Sequence, residues 1–194
     1  ASRVAAARRG GSHATAGAEY FLSVIFPASQ MLIMDYNRVL RDLNGLSEDA
    51  FLAAVGERYT VTASDARVRP QRSGVCGMYL QGRWYRLEIQ PGLVPASDPV
   101  RRLDVSVLSE QLLGPVLGIT DLRRDTRIEF VGGMRGLAEL ERRVDSGEMA
   151  LAFAMYPTQM ADLMAVADAG QVMPPKSTWF EPKLADGLVS HLLD

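Results

Sequence analysis

The sequence is poor in the residues that most often do chemistry on their own. Its 194 residues include one cysteine, Cys76, and two histidines, His13 and His191. A single cysteine excludes an intrachain disulfide. With the histidines at opposite ends of the chain, no Cys/His set has zinc-ligand spacing, so no metal ligands are assigned. Neither a Ser-His-Asp nor a Cys-His arrangement can be built from these residues. The scarcity of cysteine points to a reducing, cytoplasmic setting. No apolar run reaches the ~20 residues of a membrane-spanning helix. The net charge is −2, so no global positive field recruits nucleic acid or an anionic membrane. Any anion site must therefore be local.

What remains is an ordinary globular composition, 47% hydrophobic and 23% charged, long enough to bury a sizeable core. The opening "ASRVAAARRGG" reads as a helix stopped by Gly10-Gly11, followed by a flexible loop over 10–17. We expect residues 1–17 to be a helix and loop left from the N-terminal half of a longer protein. Residues 18–194 are expected to form a single domain.

Aromatic and β-branched content predicts a buried strand over 18–26, ended by Pro27. A short apolar run follows at 30–36. Val39, Leu40 and Leu43 then share a helical face, and Asn44-Gly45 ends that element. Ser47, with Glu48 and Asp49 behind it, starts a short helix. "YTVTA" reads as a strand and the basic stretch 64–74 as an exposed loop. Residues 75–92 are a β-hairpin turning at Gln81-Gly82. A Pro-rich connector leads to a helix over 104–118 that Asp104 caps and Gly114-Pro115 breaks.

From 126 onward the pattern alternates: strand 126–131, glycine turn 132–136, helix 137–147, strand 148–156, helix 157–170, and a last strand 187–193. The run at 148–156 is apolar throughout, as in a strand buried on both faces. This is βαβαβ logic, which favours parallel pairing. The fold class is α/β or α+β, with a mixed sheet, a hairpin-containing first half and a C-terminal βαβαβ segment.

Three stretches could hold an anion. In "RIEFVGGMRGLAEL" the glycines at 132, 133 and 136 let backbone N–H groups approach a phosphate at a helix N-terminus, with Arg135 as a bidentate partner. The plain reading is a tight strand-to-helix turn. In "MPPKSTWFEPK", Pro174-Pro175 presents Lys176 on a stiff backbone, with Ser177, Thr178 and Lys183 nearby and Trp179 and Phe180 as anchors. The plain reading is a packed connector. In "MDYNRVLRDLNG", Asp35, Asn37 and Arg38 stand at a corner. There Arg38 either binds phosphate or carboxylate, or pairs with Asp35 or Asp42. Asp104 is a helix cap or a metal ligand. Cys76 reads as a buried inert thiol and His191 as structural.

Several stretches together, above all "MPPKSTWFEPK" and "FVGGMRG", resemble a widespread prokaryotic family labelled as a domain of unknown function. The others are "LIMDYNRVLRDLNGL", "YRLEIQPG" and "LDVSVLSEQLLGPVLGI". That family is similar, more distantly, to the ParB/sulfiredoxin-like fold, which includes ATP- or ADP-dependent kinases of free serine. Its members carry an N-terminal Gly-His-His-Arg type motif that does not occur in this sequence. The resemblance implies that the chain is the C-terminal part of a nucleotide-dependent small-molecule kinase using Mg²⁺ with ATP or ADP, incomplete without the N-terminal half. On the kinase reading Lys176, Arg38 and Asp35 are the catalytic candidates: Lys176 and Arg38 neutralise phosphate oxygens, and Asp35 or Asp104 is a candidate general base. Gly132, Gly133, Arg135, Gly136, Ser177, Thr178 and Lys183 are implied as phosphate-binding, with Asn37 and Asp104 as further site positions. The other reading is a non-catalytic nucleotide-binding or regulatory module of the ParB-like type. Neither reading needs nucleic acid or a membrane as partner.

Overall fold

In a computed structural model, which describes residues 9, 20–183, 185 and 187–191, the middle of the architecture is a segment that its spacing had suggested was a helix. Strand β2 (Tyr36–Leu40) runs through a six-stranded sheet, after a short β1 (Leu32–Met34). Val39 and Leu40 both have 0% exposure. They point to opposite faces of a sheet covered on both sides, which erases the period-2 signal and leaves a cluster that mimics a helical face. Asn44 and Gly45 both have positive φ, 57° and 77°, so the expected end of the element is there.

The other strands of the first half match expectation: β3 (Tyr59–Ser64), β4 (Val75–Leu80) and β5 (Arg83–Ile89). The β4–β5 hairpin turns at Gln81 and Gly82, with φ of 45° and 79°, a type I′ pattern. Helix α1 (Glu48–Gly56) begins at Ser47, whose hydroxyl accepts from the Ala50 N–H at 3.3 Å. Its last residue, Gly56, would place a Cβ in open space. Later come β6 (Ile128–Gly132), α3 (Gly136–Asp145), β7 (Leu151–Ala154), α4 (Met160–Asp168) and β8 (Trp179–Glu181).

The expected parallel pairing does not occur. The order is β3-β5-β4-β7-β2-β6, and every pairing in this sheet is antiparallel. Since β6 and β7 are each antiparallel to β2, they run parallel to one another with β2 between them. The crossover through α3 is thus real, but β2 is inserted into its gap. The result is an α+β fold.

Two further expectations change. Residues 20–26 form no strand, and Tyr20, Phe21, Leu22, Val24 and Ile25 are exposed. Strand propensity needs a ladder partner and a surface to cover, and this stretch has neither among the described residues. Residues 187–191 also form no strand, while 192–193, the expected helix 1–9 apart from Arg9, and the 10–17 loop with His13 lie outside the described residues. Strand β8 lies instead inside "MPPKSTWFEPK" and forms a separate two-stranded sheet with β1.

The chain divides into two compact units, one of Ile33–Phe180 and one of Ala1–Leu32 with Glu181–Asp194. In the larger unit one sheet face carries Leu40, Met78, Leu87 and Phe153. They pack with Phe51 and Val55 of α1 and with Leu108, Leu112 and Leu113. Those leucines belong to helix α2 (Asp104–Leu108) and the π-helical turn Ser109–Leu113 that continues it. The other face carries Val39, Tyr79, Trp84 and Val131 against Leu137, Leu140 and Val144 of α3. No helix among the described residues is long and apolar enough to cross a membrane.

Candidate functional site

The corner where β1 meets β2 gathers most of the residues singled out in the sequence. Alternation along β2 sends Asn37 and Arg38 to opposite faces, and both are fully buried. Asn37 stitches two elements together. Its amide nitrogen donates to Asp35 Oδ2 at 2.6 Å, and its oxygen accepts from the Met155 N–H just past β7 at 2.9 Å.

Arg38 is the anomaly. Its Nη2 donates to the Lys176 carbonyl at 3.0 Å and its Nη1 to the Tyr36 carbonyl. Nε has no partner. The guanidinium carbon lies 5.6 Å from the centre of the Phe130 ring. No carboxylate among the described residues pairs with it, so neither ion pair expected from spacing forms. Burial lowers the guanidinium to about 10, and it stays charged at neutral pH.

The Lys176 segment is pinned from three sides. Arg38 holds the Lys176 carbonyl. The Thr158 hydroxyl donates to the Ser177 carbonyl at 2.9 Å, and the buried Ser177 hydroxyl donates back to the Pro174 carbonyl at 2.8 Å. Ser177 therefore shapes its own loop, with Thr178 half-buried beside it. Lys176 has φ of 57°, a left-handed conformation costly for a residue with a Cβ. Its side chain is exposed, and Nζ lies 5.8 Å from the centre of the Tyr36 ring. That ring packs edge-on against Trp179 and Phe130, with centroids 5.5 and 5.9 Å away.

The glycine turn closes on the same corner. Tyr36 is the register partner of Gly132, and the Gly133 N–H donates to the Asp35 carbonyl at 2.8 Å. A Cβ at Gly133 would stand 2.1 Å from Asp35 Oδ1, and one at Gly132 would stand 2.7 Å from the Trp179 ring. These two glycines admit a carboxylate and an indole belonging to the chain itself. Gly136 has φ of 69° and open space around it. Arg135 points to solvent and reaches Glu139, one turn on, at 3.9 Å.

Asp104 stands apart. The helix cap expected of it is not formed, because Leu103 is the N-cap residue. Its Oδ1 instead accepts from the Ser73 hydroxyl at 2.7 Å and the Gly74 N–H at 2.8 Å. It faces a cleft of about 330 Å³ lined also by Arg102, Tyr156, Thr158 and Asp162, with Arg102 bonded to Asp162 at 3.1 Å. Thr158 joins this cleft to the Lys176 segment. Burial raises the Asp104 carboxyl above its ordinary 3.8, against the two hydrogen bonds that lower it. A carboxyl raised on folding stabilises only while protonated, so its ionisation weakens the fold as pH rises through the folded value. Asp104→Asn, which keeps an acceptor, is therefore expected to raise Tm at pH 7. The gain should shrink as pH falls toward 3.8, as followed by thermal melts across pH. A gain independent of pH would count against the burial account.

Cys76 lies buried between the two places, its thiol pushed up by burial and further by Asp104, with Arg38 pulling the other way. Its burial agrees with the sequence reading of a buried thiol. Lys183 and His191 belong to the smaller unit, where His191 Nε2 lies 3.1 Å from the Tyr20 carbonyl. Sequence reasoning passed over Tyr36, Arg102 and Tyr156. Only the charge pair at 101–102 ahead of Asp104 hinted at the second cleft.

No curated protein matches the chain. Solved structures similar to it include free serine kinase in complex with AMP, at 13% identity and a TM-score of 0.49, covering 82% of this chain and 57% of that one. A conserved hypothetical protein from Pyrococcus furiosus is similar at 14% identity and a TM-score of 0.47, covering 81% and 60%. The chain thus spans well under two thirds of the length of these proteins. A family model covers residues 1–106, more than half of the 194, and the chain belongs to the family described as Protein of unknown function (DUF1015).

Proposed function

We propose that this chain contributes the phosphate-holding part of a nucleotide-dependent small-molecule kinase. The observation that carries the reading is Arg38, a fully buried guanidinium with an unpartnered Nε and no carboxylate to neutralise it. Burying an ion without a counter-ion costs several kcal/mol. Such a cost persists where the charge serves a ligand, and an anion at this corner would offset it. Phosphoryl transfer needs positioning and positive charge more than covalent chemistry. Arg38 fixes the Lys176 backbone and supplies the buried charge, while the Lys176 amine is the group that meets phosphate.

The Asp35 carboxylate already accepts from the Asn37 amide and is packed against Gly133. Asp104, raised by burial and open to a cleft, is better suited to accept a proton from a substrate hydroxyl. Among the described residues no three acidic, histidine or cysteine side chains are placed to hold a metal ion together. Mg²⁺ would accordingly enter on the nucleotide phosphates, with at most one or two carboxylates from the protein. Free L-serine is the substrate to try first, in the reducing compartment that the single cysteine suggests.

The test is turnover by the intact protein with ATP or ADP, Mg²⁺ and a panel of amino acids, read as phosphoserine or its analogues. Absence of product with either nucleotide across the panel would sink the kinase reading. Lys176→Ala should abolish nucleotide binding while changing stability by less than about 0.5 kcal/mol, the usual effect at an exposed position. A large loss of stability would make the segment a packed connector only. Because Arg38 is sealed from solvent, a second reading stands beside the first. A nucleotide that raises Tm by linkage, with no turnover, assigns a non-catalytic binding module.

A further inference from the structure

The loop between β3 and β4 was expected to be a plain exposed connector. Its burial pattern says otherwise. Val68 and Pro70 are buried while Arg67, Arg69 and Gln71 face outward. Val68 joins the core on the α3 side of the sheet. It can lie that close because Gly77 of β4 has no side chain, and a Cβ there would stand 2.4 Å from the Val68 carbonyl. The loop backbone is therefore held against the sheet rather than left to solvent, and it carries its arginines on the outward side.

Those arginines meet two more. Arg67, Arg69, Arg72 and Arg86 line one cleft of about 370 Å³. Two carboxylates answer four guanidinium groups. Glu141 takes Arg67 in a bidentate pair at 2.9 and 2.6 Å. Glu88 is shared by Arg72 and by Arg86, the latter at 2.6 Å. Arg69 has no ion pair among the described residues. Direct ion pairing thus leaves about two of the four positive charges unmatched, offset in part by Asp104, which attracts Arg72 without pairing with it, on a chain whose net charge is −2.

We infer that this cleft is a second anion site, separate from the Arg38 corner, that takes a small oligophosphate chain. Guanidinium forks match phosphate oxygens in pairs, and two unmatched charges favour a multiply charged anion over a single carboxylate. Among the described residues no aromatic ring lines the cleft, so it lacks the aromatic platform on which sites for single-stranded nucleic acid stack successive bases.

The experiment is calorimetric titration of the intact protein with inorganic tripolyphosphate at low and moderate salt. Wild type should bind, and affinity should fall with added salt. Arg69→Ala and Arg86→Ala should each weaken binding roughly tenfold or more, the loss of a charge-assisted contact, with unchanged Tm. Lys176→Ala should leave this binding intact, which keeps the outcome separate from the fate of the kinase reading. The proposal is overturned if wild type does not bind. It is equally overturned if Arg69→Ala binds as wild type does, if Lys176→Ala removes the binding, or if a uridine oligonucleotide of equal charge binds more tightly.

Discussion

Arg38→Met is expected to abolish nucleotide binding by the intact protein while leaving its stability within about 2 kcal/mol of wild type. Two opposing effects set the second half of that expectation. Removing a fully buried, unneutralised guanidinium relieves a desolvation cost of several kcal/mol. It also strips the Tyr36 and Lys176 carbonyls of their donor, at about 1.5–3 kcal/mol for each charged hydrogen bond. Methionine fills most of the space, so little cavity is added. Arg38→Ala differs by that cavity and should cost about 2–5 kcal/mol more. Denaturant titration and nucleotide binding on the two variants separate the parts. If Arg38→Met unfolds the protein, the arginine is a structural strut and the phosphate corner loses its main support. If it binds nucleotide as wild type does, the buried charge serves no ligand.

Gly77→Ala should destabilise by about 3 kcal/mol, at the upper end for overpacking a core. The added methyl meets a backbone oxygen at 2.4 Å and the Trp84 ring at 3.1 Å. Gly77 pairs with Arg86 on one side and Ala154 on the other, so β4 cannot retreat without breaking two ladders. The least costly escape is for the 67–72 loop to lift, which would also loosen the arginine cleft. Gly56→Ala is the control. Its Cβ meets nothing within 4 Å, and it should stabilise by about 0.5–1 kcal/mol through helix propensity and a stiffer unfolded chain. Urea midpoints measure both. A Gly77→Ala loss under 1 kcal/mol would mean that Val68 is not held as described.

Local signals in the sequence carried far where the physics is local. Ser47, the Gln81-Gly82 turn and the apolar seam of α3 each specify their element within a few residues. The sequence was least legible at β2, where burial on both faces hides the alternation that marks a strand. It was also opaque in the sheet order, because insertion of β2 between β6 and β7 is a long-range choice that no window of residues records. At the candidate site, sequence reading brought forward Asp35, Asn37, Arg38, Lys176 and the glycine turn, which the fold places together. It could not show that Gly132 and Gly133 make room for Trp179 and Asp35, since a glycine needed for close packing reads the same as one that cradles a phosphate. Asp104 looked like a helix cap because an acid before an apolar run usually is one. Its real partners, Ser73 and Gly74, lie some 30 positions away.

The bond from Arg38 to the main chain at 176 has a practical consequence. It grips a carbonyl and not a side chain, so the loop keeps that anchor when the lysine is exchanged for a residue that tolerates the left-handed backbone there. Cys76 is the chain's sole cysteine and is buried, which leaves a background silent to thiol reagents. Lys176→Cys would then offer a single addressable sulfur at the mouth of the corner. A fluorophore coupled to it would report directly whether an anion arrives and whether the loop opens to admit it.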